Sequence, residues 1–170
     1  MSLVTQVEAA FAPGGALSRQ WPEWEERPGQ RALAIEVART LESGGVLLAE
    51  APTGVGKSLA YLLPAALHAA DTGERVVVAT CTRSLQDQLF ERDLPALLQA
   101  LGLSLPVALL KGKQNYLCPR ALEIVDPEGD EEIAVVEALR AWSAADPVGD
   151  LDRFAYADSD LARRMRSRVA

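Results

Sequence analysis

The string APTGVGKS, residues 51–58, constrains this chain more than any other stretch of it. It lies between a short apolar run, Val46 to Ala49, and a helix-like stretch, Lys57 to Ala70. A strand that feeds a Gly-rich loop opening into a helix aims successive backbone N–H groups at one point and adds the partial positive charge of the helix N-terminus. Gly54 and Gly56 permit the backbone conformations such a loop needs. Lys57 can reach the β- and γ-phosphates of a nucleotide, and the Ser58 hydroxyl can ligate Mg²⁺. The strict pattern begins with glycine where this chain has Ala51, so the string is a relaxed phosphate loop. The expected nucleotide contacts are Ala51, Pro52, Thr53, Gly54, Val55, Gly56, Lys57, Ser58 and Leu59, with Lys57 and Ser58 in the catalytic role.

The flanking pattern predicts the architecture. Pro28 to Ser43 has apolar residues at helical spacing and stops at Gly44-Gly45. Arg75 to Thr80 holds the β-branched run Val76-Val77-Val78, Ser84 to Gln99 returns to helical spacing, and Pro106 to Leu110 reads as a third strand. Helical stretches follow around Arg120 to Val125 and Glu131 to Ala145. Strands alternating with helices predict an α/β domain, a parallel sheet with crossover helices. Residues 1–20, with the Pro13-Gly14-Gly15 turn, read as a loose arm carrying one short helical turn.

Composition narrows the class. A chain of 170 residues is one compact domain or part of a larger one, and 49% hydrophobic with 24% charged residues excludes disordered, collagen-like and disulfide-stapled chains. The longest apolar run, Leu59 to Ala70, is broken by Pro64 and falls short of the ~20 residues a membrane span needs. No membrane partner is expected, and the absence of a basic-then-apolar leader predicts a cytoplasmic protein. The two cysteines, Cys81 and Cys118, cannot build a disulfide framework. A net charge of −7 argues against a general electrostatic grip on nucleic acid but allows a local one. Positive charge is indeed concentrated: the lysines are Lys57, Lys111 and Lys113, and four arginines crowd positions 163, 164, 166 and 168.

Residues around the loop suggest what the nucleotide serves. Ahead of the first helix, Trp24 offers a face for a purine and Gln30 an amide with one acceptor and two donors; equally, Trp21 and Trp24 can simply pack the arm onto the domain. Thr80, Thr82 and Arg83 follow the second strand and could meet phosphates of a nucleic-acid strand, or form a capped helix with a solvated arginine. Lys111 and Lys113 beside Tyr116 pair basic and aromatic groups as single-strand contacts do. His68 and Glu50 receive no catalytic role.

Taken together, RPGQ (27–30), EAPTGVGKSLAYLLP (50–64), TCTRSLQDQLFERDLP (80–95) and LLKGKQNYLCPRAL (109–122) resemble the DinG/XPD family of iron–sulfur superfamily 2 DNA helicases, closest to its bacterial DinG-like branch. The similarity covers roughly residues 21–125. It implies a partial RecA-like motor domain over residues 21–110, preceded by the 1–20 arm and running into a helical iron–sulfur cluster domain over 111–170. It implies that Gln30 recognises adenine, that Lys57 and Ser58 hold phosphate and Mg²⁺, and that Thr82 and Arg83 lie on the DNA track; Trp24 and Arg27 are counted with the nucleotide site, and Thr80, Lys111 and Lys113 with the nucleic-acid contacts. Cys118 would be the first of four thiolates of a 4Fe–4S cluster; Cys81 is expected to be a small buried residue. ATP, Mg²⁺ and the cluster are the implied cofactors. Single-stranded and forked DNA are the implied partners, and 5′ to 3′ unwinding by a monomer in DNA repair the implied activity, nucleoid-associated in a bacterium.

The departures from that pattern are equally specific. No apolar run followed by Asp-Glu occurs, so the group that activates water is missing, and three cluster cysteines and a second motor domain are missing too. The chain therefore reads as the N-terminal part of such a helicase, with no turnover of its own. A standalone P-loop nucleotide-binding module and a small P-loop kinase, its terminal arginines serving as a lid, are the alternatives. The Gln30 arm and TCTRSLQDQL are features no kinase needs.

Overall fold

A computed structural model describes residues 1–155 and 160–170. They form two compact units, residues 1–109 and 110–170.

In the first unit, helix α1 (Leu3–Phe11) is capped by Ser2, whose hydroxyl accepts from the Thr5 amide, and buries Leu3, Val7, Ala10 and Phe11. The spacing i, i+4, i+7, i+8 is that of one helical face. These residues join the main core, with Val7 fully buried and Phe11 nearly so, so residues 1–20 are not the loose arm expected from their turn. A second short helix, α2 (Ala16–Gln20), follows the turn and adds Leu17 to the same core.

Helix α3 (Pro28–Ser43) has Pro28 at its first position, where a missing N–H costs nothing, and ends at Gly44 with φ +76°. Helix α4 (Lys57–Thr72) packs along it, and its Ala60, Leu62 and Leu63 share one core with Ala34 and Ala38. Pro64 lies inside α4 and is buried. The expected helix from Ser84 to Gln99 forms in three pieces. Thr82 caps α5 (Arg83–Asp87), a π-helical turn spans Gln88–Asp93, and α6 (Leu94–Leu101) continues to Gly102.

The expected sheet is not present among the described residues. Val46 to Ala49, Arg75 to Thr80 and Pro106 to Leu110 contain no strand, and the described residues hold a single isolated bridge, Tyr116 with Asp150. Val46, Leu48 and Val77 are 97%, 98% and 87% exposed. Parallel strands are stable when neighbouring strands pair with both edges and helices cover both faces. Here the helices instead bury their apolar faces on one another, and the β-branched runs carry the strand pattern without a ladder.

The second unit has its own core. Helix α7 (Pro119–Ile124), helix α8 (Asp130–Ala145) and helix α9 (Asp160–Val169) contribute Leu122, Val135, Val136, Leu139, Met165 and Val169, with Leu151 and Phe154 between them. Trp142 packs on Phe154 with ring centroids 5.4 Å apart. Acidic residues fill the first turn of α8, and basic residues the last turn of α9, as the helix dipole favours. No helix of the described residues is long and apolar enough to cross a membrane.

Candidate functional site

The site is built at the N-terminus of α4. Gly54 and Gly56 both have φ +86°, a left-handed backbone that only glycine adopts without strain. Gly56 is the N-cap residue of α4 and has no side chain to cap the first-turn amides, the groups an anion meets at a helix N-terminus. Lys57 begins the helix. Its ammonium is folded back onto the loop, donating to the carbonyls of Ala51 (2.7 Å) and Pro52 (2.9 Å). Those two carbonyls hold the positive charge at the mouth of the loop.

Two residues at the start of α3, its N-cap Arg27 and Gln30 in its first turn, bind the same loop. The Arg27 guanidinium donates to the Gly54 carbonyl at 2.7 Å. Gln30, 3% exposed, donates through Nε2 to the Gly56 carbonyl at 2.8 Å. Gln30 Oε1 is buried and has no hydrogen-bond partner among the described residues. A Cβ at position 56 would sit 2.0 Å from Gln30 Nε2, so besides the positive φ any side chain there would displace the Gln30 amide. The structure thus sets Arg27 and Gln30 on the phosphate loop.

Trp24 takes the packing role. It lies 6.0 Å from Phe11 and 6.1 Å from Trp21 between ring centroids, against the main core. Its indole Nε1 is buried without an acceptor among the described residues. A cavity of about 440 Å³ opens beside it, bounded by Trp21, Trp24, Gly56, Ser58 and Leu59 and by Asp93 of the π-helical turn. Its volume lies within the ~300–1,000 Å³ of ordinary ligand sites. In that turn Gln88 Nε2 donates to Asp93 Oδ2 (2.8 Å), and Arg92 Nε to Asp93 Oδ1 (3.0 Å). Sequence reasoning did not single out Gln88, Arg92 or Asp93. A π turn is set by how a helix packs, and nothing in the spacing of apolar residues announces it.

The residues expected on a nucleic-acid track diverge. Thr82 is the exposed N-cap of α5, its hydroxyl accepting from the Leu85 amide at 3.4 Å; Arg83 is exposed and Thr80 half-buried. In the second unit Lys113 is exposed, whereas Lys111 is not a surface contact: its side chain is 8% exposed and its ammonium sits between Asp150 (2.8 Å) and Asp152 (2.9 Å). The Tyr116 hydroxyl accepts from the Lys111 amide at 2.8 Å, so the aromatic partner also faces inward work. Burial lowers the Lys111 pKa, but the hydrogen bonds and charges of Asp150 and Asp152 outweigh it and hold the group above 10.5. Asp152 is likewise shared: burial raises its pKa, while Arg166 (2.6 Å) and Lys111 more than offset that and hold it below the usual value.

The arginine cluster is largely neutralised by neighbours. Arg163 pairs with Asp160, Arg166 with Asp152, and Arg168 with Glu132 (2.8 Å) and the Asp126 carbonyl. Glu132 is held below its usual value by the Glu128 amide and then by Arg168. Cys81 is exposed, contrary to expectation, because the segment that carries it packs into no sheet. Cys118 is half-buried at the N-cap of α7, its amide donating to the Val169 carbonyl at 2.7 Å. Among the described residues no three Cys, His, Asp or Glu side chains converge on a metal position. A lone thiol does not fit a cluster that takes four, so these residues do not by themselves account for one.

A glycine-formed loop capping a long helix, with a lysine at its mouth and a cavity alongside, is the arrangement of the P-loop class of proteins. Residues 29–128 match the DEAD/DEAH box helicase family. The chain is 41% identical over 145 residues to the ATP-dependent DNA helicase YoaA of Escherichia coli, covering 83% of this chain and 22% of that protein. It is 40% identical over 147 residues to the ATP-dependent helicase DinG of Mycobacterium tuberculosis, covering 74% and 22%. It is 34% identical over 188 aligned residues to the ATP-dependent DNA helicase DinG of Escherichia coli, covering 97% and 26%. The chain belongs to the DEAD/DEAH box helicase family, in its DinG-like branch, and the RecA-like fold is that of the family. It spans about a fifth to a quarter of the length of these curated relatives. The last match also extends the likeness beyond the residues 21–125 expected from motifs, to nearly the whole chain.

Proposed function

We propose that this chain is the ATP-binding N-terminal part of a DinG-like DNA helicase, in which ATP turnover drives movement along single-stranded DNA and unwinding of forked duplexes in the 5′ to 3′ sense, in DNA repair. The observation that carries the reading is the loop at the head of α4: two left-handed glycines, an N-cap without a side-chain cap, and Lys57 parked on two carbonyls. A triphosphate offers Lys57 a stronger partner than those neutral carbonyls, since hydrogen bonds between ionised groups are roughly twice as strong. Phosphate entry therefore swings the ammonium from Ala51 and Pro52 onto the nucleotide. Ser58 then supplies a hydroxyl for Mg²⁺, which would neutralise the phosphates.

Thr80, Thr82, Arg83 and Lys113 are the proposed DNA contacts, supported by the exposure of three of them. Cys118 is the thiol proposed for a cluster, and no step is assigned to it. The test is nucleotide binding by the 170-residue chain, read by calorimetry with and without Mg²⁺. Wild type is expected to bind ATP and Lys57→Ala to bind it about 10- to 100-fold more weakly, the loss of one charge-assisted contact to phosphate. Equal affinity of the two proteins would overturn the assignment.

A further inference from the structure

Arg27 carries a role that neither its sequence context nor the comparisons assign. The sequence places it in the nucleotide site without a partner. Its guanidinium reaches the carbonyl of Gly54, within the phosphate loop, while Gln30 from the same short segment reaches the carbonyl of Gly56. In a trans peptide the C=O of one residue and the N–H of the next point in opposite directions. Holding the Gly54 carbonyl toward Arg27 therefore turns the Val55 N–H away from it, and holding the Gly56 carbonyl toward Gln30 turns the Lys57 N–H the other way. The Gly56 carbonyl also accepts from the Ala60 amide at 3.2 Å, so it lies along the axis of α4 and the Lys57 N–H faces out of the helix N-terminus. Both pinned peptides contain a glycine with φ +86°, the residue type whose peptide planes rotate most freely.

We infer that Arg27 is a positioning residue of the phosphate loop. It fixes the 54–55 peptide so that its amide is presented to phosphate before the nucleotide arrives, and it makes no contact with the base. Gln30 does the same for the 56–57 peptide from its buried position. The arrangement matters most once Lys57 leaves Ala51 and Pro52 for the nucleotide. The loop then loses its internal cation, and the two side chains from outside it are what keep its carbonyls turned outward. The inference rests on the reading of the loop as an ATP site.

Two ligands separate the roles. Inorganic tripolyphosphate has the phosphates of ATP and no base. Calorimetric titration of the 170-residue chain and of its Arg27→Ala and Arg27→Lys variants with ATP and with tripolyphosphate gives the decisive ratio. If Arg27 pins the loop, Arg27→Ala weakens both ligands by the same factor, about fivefold for one partly exposed charged hydrogen bond. Arg27→Lys, which can still donate to a carbonyl, recovers part of that loss for both. If Arg27→Ala weakens ATP alone, the residue reads the base and the inference is wrong. Unchanged affinity for both ligands overturns it as well. Should wild type bind neither ligand, the ATP-site reading fails first and this one with it. Unchanged far-UV circular dichroism of the variants guards against a folding defect, and Arg27 is exposed, so its removal opens no core cavity.

Discussion

Replacing Lys111 by methionine should loosen the second unit, and the size of the effect follows from its surroundings. The ammonium is held by Asp150 at 2.8 Å and Asp152 at 2.9 Å, and the lysine side chain is 8% exposed, that of Asp150 11% and that of Asp152 31%. Hydrogen bonds to charged groups contribute ~1.5–3 kcal/mol each, and breaking a buried ion pair from one side costs ~3–5 kcal/mol because the remaining charge is stranded. Asp152 keeps Arg166 as a second partner and some water, which reduces the penalty. Methionine retains the apolar stem of lysine. The expected loss is about 2–3 kcal/mol, equivalent to about 30- to 150-fold faster amide exchange for segments that open with the whole unit. Hydrogen exchange by mass spectrometry, followed on peptides from α7 and α9, reads the second unit separately from the first. Lys113→Met, at an exposed position, is the reference and should change exchange less than twofold, as surface substitutions do. Equal exchange in the two variants would refute the burial argument and return Lys111 to the expected DNA track. The triple variant Lys111→Met, Asp150→Asn, Asp152→Asn should recover part of the loss, because the stranded charges go with their partner.

The same cluster sets a pH window. Asp152 has a lowered pKa in the fold, so its contribution is present above 3.8 and is lost as pH falls through the lower folded value; Lys111 has a raised one, so its contribution is complete below 10.5 and is lost only as pH rises beyond that. Exchange in α9 should therefore hold constant, after correction for intrinsic rates, from about pH 5 to 8 and quicken below about pH 4; quickening near pH 6 would point to another group. Gly56→Ala places a methyl 2.0 Å from Gln30 Nε2 in a left-handed backbone, and should cost about 1–3 kcal/mol in urea melts and abolish calorimetric ATP binding. Leu63→Ala empties a fully buried position between α3 and α4 and should cost about 2–5 kcal/mol in the first unit, seen as faster exchange in α3; a change below 1 kcal/mol would mean the helices close over the gap.

Local patterns were legible wherever one residue type has one physical use. Gly54 and Gly56 ahead of Lys57 announced the backbone freedom of a loop at a helix start, and Pro28 and Gly44 marked the ends of α3. Even α1 is written in Leu3, Val7, Ala10 and Phe11, although the Pro13-Gly14-Gly15 turn beside it is the signature of a loose arm. The four strings that resemble the helicase family carried the membership that the comparisons establish.

Propensity failed where stability depends on partners distant in sequence. Val76-Val77-Val78 is as clear a strand signal as a chain can carry, yet a strand exists only when another lies beside it, and these valines have none among the described residues. The partners of charged groups are decided the same way. Nothing in the sequence says that Lys111 meets Asp150 and Asp152, about forty positions on, or that Arg27 reaches Gly54 across the start of α3. The sequence alone determined the glycine-formed loop at the head of α4 and the family to which the chain belongs, because backbone freedom and local charge are properties of neighbouring residues. Only tertiary structure decided which cations stay available to a ligand and which are consumed in holding the fold, because that depends on which carboxylates and carbonyls the packing of helices brings within reach.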